Sequence, residues 1–260
     1  MHCIDNNDVT LHVREDGSEN GRVVMFGNSL GTDMRVWDPL LPHLPAGLRL
    51  VRYDTRGHGL SDCPKPPYSM NHLVDDALKI IETLKLQHVS FVGLSIGGLI
   101  GQALVARRPE LFQTLVLMDT AAKIGSPELW MDRIAQLREG GLDGMADAVM
   151  ERWFATEFRQ HSIELAMWRN MLVRTPLDGY AGCCAAIAET DLTSSTTGLT
   201  LPVLAMVGNE DGATPPELVE ATAMMCAAEF HVVDNAGHLP CVEKPAMVGA
   251  LISRFLEKTA

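Results

Sequence analysis

The serine of greatest chemical interest lies in Gly93-Leu94-Ser95-Ile96-Gly97, a G-x-S-x-G pattern. Glycine and serine are common, so the pattern is weak by itself; its setting makes it specific. It follows an apolar run, His88–Val92, that reads as a strand, and it opens a helical stretch, Ser95–Arg107, which is the context a nucleophile turn requires. The glycines allow a tight strand-to-helix bend that exposes the hydroxyl. The helix start behind it offers unpaired N–H groups and the positive end of a dipole, both suited to a developing oxyanion. The chemistry implied is attack on an acyl carbon; the alternative is that Ser95 only caps its helix.

A serine needs a base, and the base needs an acid to orient it. Of nine histidines, His238 in Asn235-Ala236-Gly237-His238 falls between the last strand and the last helix, at the carboxyl edge where sites of open α/β sheets gather. The alternative for it is a surface loop. His58, in Arg56-Gly57-His58-Gly59, competes but reads better as the organiser of its own loop. Asp211 follows the apolar run LPVLAMVG and gives the chain order Ser, Asp, His. Its neighbour Glu210 and Asp119, at the end of the strand after the nucleophile helix, remain alternatives. Two backbone donors are needed for the oxyanion. Ile96 N–H and Leu30 N–H, the latter within Gly27-Asn28-Ser29-Leu30-Gly31, are assigned to it.

The elements that must position these groups alternate. Runs at Val9–Arg14, Arg22–Phe26 and Leu48–Tyr53 read as strands, with a hairpin turn expected at Asp16-Gly17. Leu73, Val74, Ala77, Leu78, Ile81 and Leu84 share one helical face within Asn71–Leu84. His88–Val92, Ser95–Arg107 and Gln113–Met118 continue as strand, helix and strand. The alternation predicts an α/β fold with a mostly parallel sheet covered by helices on both faces. Residues 122–197 break the rhythm. They carry helical patterns at Glu128–Glu139, Leu142–Thr156, Ser162–Arg174 and Gly179–Ala188, and read as a helical cap inserted into a core made of 1–121 and 198–260. The rhythm returns with a strand at Leu201–Val207, a helix at Pro216–Cys226, a strand at Glu229–Val233 and a helix at Glu243–Leu256.

With 260 residues and 47% hydrophobic content the chain can bury one large core. The net charge of −12 argues against nucleic acid and anionic membranes as partners, and an anionic substrate would need a local basic group. No run is long and apolar enough for a membrane helix, and the first ten residues lack the features of a signal peptide. Six cysteines without CxxC spacing are expected to be free thiols in the cytoplasm, not metal ligands. Cys183-Cys184, within GYAGCCAAIA, reads as packing, and the 14 methionines as fillers of irregular core gaps.

Over nearly its whole length the sequence resembles the α/β-hydrolase superfamily, and within it the 3-oxoadipate enol-lactonase family of bacterial aromatic catabolism. The likeness is carried by FGNSLGTDMRVWDPLLPHL (26–44), RYDTRGHGLSD (52–62), GLSIGGLIGQALVARRPE (93–110), LMDTAAKIGSPELWMDRI (117–134) and GYAGCCAAIAETDL (179–192). Asn28-Ser29 stands where many relatives have His-Gly, as looks typical of the enol-lactonases. The resemblance implies the triad Ser95, Asp211 and His238, hydrolysis of 3-oxoadipate enol-lactone to 3-oxoadipate, and no cofactor; composition and spacing alone reach only an esterase-like reading. The substrate so implied is a small anionic lactone. Its carboxylate needs a charged or donor partner, and Arg133 and the indole N–H of Trp130 are the expected ones, unless Trp130 is cap core and Arg133 a solvated charge. Competing readings are a carboxylesterase or perhydrolase on the same fold, a C–C bond hydrolase, and a non-catalytic small-ligand binder. The oligomeric state is left open.

Overall fold

The computed structural model describes residues 1–259. Eight strands form one sheet: β1 (His2–Asn6), β2 (Val9–Gly17), β3 (Val23–Gly27), β4 (Arg49–Tyr53), β5 (Val89–Leu94), β6 (Phe112–Met118), β7 (Val203–Gly208) and β8 (Glu229–Val233). Their spatial order is β1-β2-β4-β3-β5-β6-β7-β8. β2 runs antiparallel to both β1 and β4, and every other neighbouring pair is parallel. β3, β5 and β7 are buried along their whole length because helices cover both faces of the sheet. This is why they read as continuous apolar runs and not as alternation.

One sequence expectation changes at the amino-terminal edge. Asp16-Gly17 is not a hairpin turn: it is the end of β2, where Asp16 pairs with Leu50 of β4 and Gly17 with Arg49. The hairpin lies earlier, between β1 and β2, with Asn7 at φ 58°. Asparagine tolerates that left-handed conformation, and β1, a short run with polar side chains, carried no apolar signal.

The helices follow local rules. α1 (Met70–Thr83) starts on a capping box in which the Ser69 hydroxyl accepts the His72 N–H and His72 Nδ1 accepts the Ser69 N–H. Its Leu73, Val74, Ala77, Leu78 and Ile81, expected on one face, are all buried. α2 (Ile96–Arg107) is buried nearly all round, packed on β3, β5 and β6 and flanked by α1. α7 (Pro216–Met225) and the pair α8 (Pro240–Glu243) and α9 (Pro245–Lys258) complete the layers. The expected final helix is divided at Lys244, since Pro245 starts a new helix and lacks the N–H that would continue the old one.

Between β6 and β7 the described chain has helices and no strand. α3 (Pro127–Trp153) bends at Gly141, φ 67°, which separates the two helical patterns expected there. α4 (Ser162–Val173), α5 (Leu177–Ala188) and α6 (Thr193–Thr197) follow, the last unexpected because its TSSTT sequence is polar. Cys183 and Cys184 are fully buried on α5, where burial pushes both thiols up, Cys184 to about 12. That suits packing, not redox chemistry. No helix of the described residues is long and apolar enough to cross a membrane.

Candidate active site

β5 ends at Leu94, and the chain turns into α2 through Ser95, which adopts φ 57°, ψ −119°. A side chain rarely occupies that region, and it costs on the order of 1–3 kcal/mol. The neighbours enforce it. A Cβ on Gly93 would lie 2.3 Å from Gly97 O, and one on Gly97 would lie 2.1 Å from Gly27 O. Only glycine permits this approach of β5, α2 and β3. Ser95 N–H donates to Met118 O at 2.9 Å, and the Thr120 hydroxyl donates to Ser95 O at 2.7 Å. Ser95 has no capping hydrogen bond from its side chain, so its hydroxyl does not serve as a helix cap.

His238 follows β8 on a loop whose N–H donates to Trp153 O at 2.8 Å. Its Nδ1 lies 2.9 Å from Asp211 Oδ2. Both residues are buried. Asp211 also accepts the N–H groups of Ala213 (2.7 Å) and Thr214 (3.1 Å) on Oδ1, and the Thr214 hydroxyl (2.6 Å) on Oδ2. Burial alone would raise its pKa; the adjacent His238 and these donors outweigh burial and hold the carboxyl below its ordinary value. An ionised Asp211 fixes the proton on Nδ1 and leaves Nε2 as the basic nitrogen. Glu210 is directed elsewhere: it accepts the Thr156 N–H and hydroxyl at 2.9 and 2.8 Å. Asp119 lies close behind, with one of its carboxyl oxygens, one of Asp211 and a ring nitrogen of His238 all within 4.8 Å of one another.

Ser95 and His238 line one cavity of about 180 Å³. Among the described residues no hydrogen bond joins them; His238 Nε2 instead approaches Ser29 Oγ at 3.4 Å. Such contacts are often long in unliganded sites and close with substrate. Leu30 lines the same cavity, and Ile96 begins α2 beside Ser95. The loop that presents Leu30 is held by His58, whose Nε2 accepts the Gly31 N–H at 3.0 Å while Nδ1 faces Arg56 O at 3.2 Å. Burial lowers the His58 pKa, so it stays neutral and organises the loop. Asn28 adds to this, donating to Tyr53 O (2.7 Å) and accepting the Trp37 indole N–H (2.8 Å).

Trp130 and Arg133 both reach the cavity, in different ways. The Trp130 indole N–H donates to Ile124 O at 2.6 Å. It is therefore committed within the protein, and the expected donation to a ligand is corrected: the ring lines the wall. Arg133 donates to the Tyr180 hydroxyl at 3.0 and 2.6 Å and lies over the Trp130 and Tyr180 rings. Sequence reasoning missed Arg152, which closes α3 at the same cavity. Burial, and then Arg133, lower its pKa. Among the described residues neither guanidinium forms an ion pair, although most other arginines do. A separate recess of about 290 Å³ is lined by His12, Asp54 and Thr175 and does not include Ser95 or His238.

A mostly parallel sheet with a serine on a strained β5–α2 turn, facing a histidine from the last β–α loop, defines a hydrolase scaffold. The family model for the alpha/beta hydrolase fold matches residues 22–245. The chain is 33% identical to 3-oxoadipate enol-lactonase 2 of Acinetobacter baylyi, over 95% of each chain. Among solved structures it is similar to the enol-lactonase of Burkholderia xenovorans, with a TM-score of 0.93, 38% identity and coverage of 96% of this chain and 98% of that one. A thermophilic esterase from Thermogutta terrifontis, solved with malate bound, gives a TM-score of 0.90 and 28% identity over 96% and 94% of the two chains. The chain belongs to the α/β-hydrolase fold family and is a hydrolase acting on ester bonds; within the family it resembles the 3-oxoadipate enol-lactonases.

Proposed function

We propose that the protein opens 3-oxoadipate enol-lactone to 3-oxoadipate through an acyl-enzyme on Ser95, as a step of aromatic-compound breakdown in the cytoplasm. The observation that carries this reading is the charge of the cavity. The wall around Ser95 and His238 includes two guanidinium groups, Arg133 and Arg152, with no protein anion paired to them among the described residues. An anionic lactone supplies the missing counter-charge. A neutral ester gives these groups nothing to do, which disfavours a general carboxylesterase.

In this mechanism Ser95 Oγ attacks the lactone carbonyl as His238 Nε2 takes its proton, and Asp211 stabilises the imidazolium. The oxyanion rests on Leu30 and Ile96 N–H. Collapse breaks the acyl–ring oxygen bond, and the leaving enol takes the proton from His238 and becomes a ketone, which makes ring opening hard to reverse. Water deprotonated by His238 then releases the acyl group. Residues 122–197 act as a cap over a core of 1–121 and 198–260, and Arg133 and Arg152 come from that cap. No cofactor is required. The partner is the small anionic lactone, and four buried cysteines with no disulfide suit a reducing compartment.

The test follows loss of the enol-lactone absorbance with wild type and Ser95→Ala. Wild type should turn over, and the variant should fall by at least about a thousandfold, as removal of a serine nucleophile does. Preserved activity in Ser95→Ala excludes the serine mechanism; turnover of aryl esters alone excludes the lactone.

A further inference from the structure

Asp119 follows β6 with φ 47° and is fully buried. Its Oδ1 accepts the Gly208 N–H at 2.9 Å, and its Oδ2 is buried with no hydrogen-bond partner. Asp211 comes from the loop after β7 and His238 from the loop after β8. The other titratable groups facing Asp119 are Cys241 and Glu243 of α8, and neither can supply a positive charge. One imidazole therefore serves two neighbouring carboxyl groups, which cannot both be ionised in a buried site. The hydrogen bonds decide which keeps the proton. Asp211 accepts from Ala213, twice from Thr214, and from His238. Asp119 accepts one bond and its other oxygen has no donor, while one oxygen of Asp119, one of Asp211 and a ring nitrogen of His238 lie within 4.8 Å of one another. Burial and the Asp211 charge both raise the Asp119 pKa well above the ordinary carboxyl range.

We propose that Asp119 is a positioning residue: a neutral carboxylic acid that donates its Oδ2 proton to Asp211, so that an acid–carboxylate pair, not a single aspartate, holds His238. This rests on reading Ser95, His238 and Asp211 as the catalytic groups. The donated proton spreads the Asp211 charge and limits how far Asp211 raises the basicity of His238. It also braces Asp211 from β6, the strand whose end carries the Ser95 N–H bond.

The experiment measures the pH dependence of Ser95 phosphonylation by an uncharged 4-nitrophenyl phosphonate, which needs no lactone. It compares wild type, Asp119→Asn and Asp119→Gly, both tolerated at this positive φ. In Asn the amide N–H replaces the donor and the amide oxygen still accepts Gly208 N–H, so its acidic limb should stay close to wild type. In Gly the donor is gone, His238 becomes more basic, and the limb should move to higher pH by about half a unit or more. A move to lower pH in both variants would mean Asp119 is an anion, and no move in Gly would mean it does not act on His238; either overturns the proposal. An infrared difference spectrum at neutral pH in D2O, wild type minus Asp119→Asn, should show the carbonyl band of an un-ionised carboxyl; an ionised carboxylate band overturns it independently. If wild type is not labelled at Ser95, the catalytic reading fails, and the infrared result still decides the protonation of Asp119.

Discussion

In the proposed function, Arg152 has the role that is most sharply testable. A half-buried guanidinium next to a second one is destabilised by both burial and like charge, so an incoming carboxylate relieves both at once. Arg152→Ala is expected to raise KM for the anionic lactone roughly ten- to a hundredfold, the worth of a charge-assisted hydrogen bond. KM for a neutral aryl ester should change little. Arg133→Ala should act in the same direction. Its side chain already donates to Tyr180, whose hydroxyl is pushed up to about 12 by burial, so part of the effect will be loss of wall packing. Equal changes in KM for charged and neutral substrates would remove either arginine from anion recognition. Steady-state kinetics on both substrates decide the matter.

At the scale of elements, the His238 loop and the end of α3 are joined by backbone. His238 N–H bonds to Trp153 O, and Gly212 N–H to Arg152 O at 3.2 Å. Glu243 of α8 adds a second tie, accepting the Gly237 N–H at 2.7 Å and the Ala155 N–H at 2.8 Å. The segment that carries Arg152 is thus tied to the loops that carry Asp211 and His238. Burial raises the Glu243 carboxyl to about 7 even though both N–H donors oppose the shift. The folded state therefore binds this proton more tightly than the unfolded chain does. The resulting stability is fully present below the ordinary value of 4.5 and is lost as pH rises through about 7. The contribution is on the order of 3 kcal/mol. Urea unfolding of Glu243→Gln at a series of pH values should show a shallower decline between about 5 and 7 than wild type. Parallel curves would mean that Glu243 does not titrate in that range.

Across the whole molecule, acidic groups outnumber basic ones by 33 to 21. Many surface arginines and lysines are already paired, for example Arg107 with Asp75 and Lys123 with Asp191, so the excess is unneutralised carboxylate. Like-charge repulsion on that scale weakens the compact state and is screened by salt. The thermal midpoint is expected to rise between about 0.01 and 0.15 M sodium chloride, as the screening length falls from about 30 to about 8 Å. A fall would mean that the surface ion pairs outweigh the net repulsion. Calorimetry at fixed pH measures it.

The parts of this protein legible in its sequence are those governed by neighbours along the chain. The bend at Ser95 is marked by Gly93 and Gly97, close in sequence, so G-x-S-x-G between a strand and a helix announces it, although the carbonyl that crowds Gly97 is that of the remote Gly27. The buried strands β3, β5 and β7 declare themselves as apolar runs, and the break at Gly141 falls where two helical patterns meet. Contacts between distant segments were decided by the tertiary structure. Asp211 and Glu210 are equivalent by spacing, and only the packing of the β7 and β8 loops turns Asp211 toward His238 and Glu210 toward Thr156. Arg152 looks like any helix-end charge until the chain lays α3 against the β7 loop. Trp130 offers an indole N–H in the sequence, and the fold gives it to Ile124 O. The physical reason is the same in each case: backbone conformation depends on short-range sterics, whereas a side chain's partner and solvation depend on which remote surface covers it.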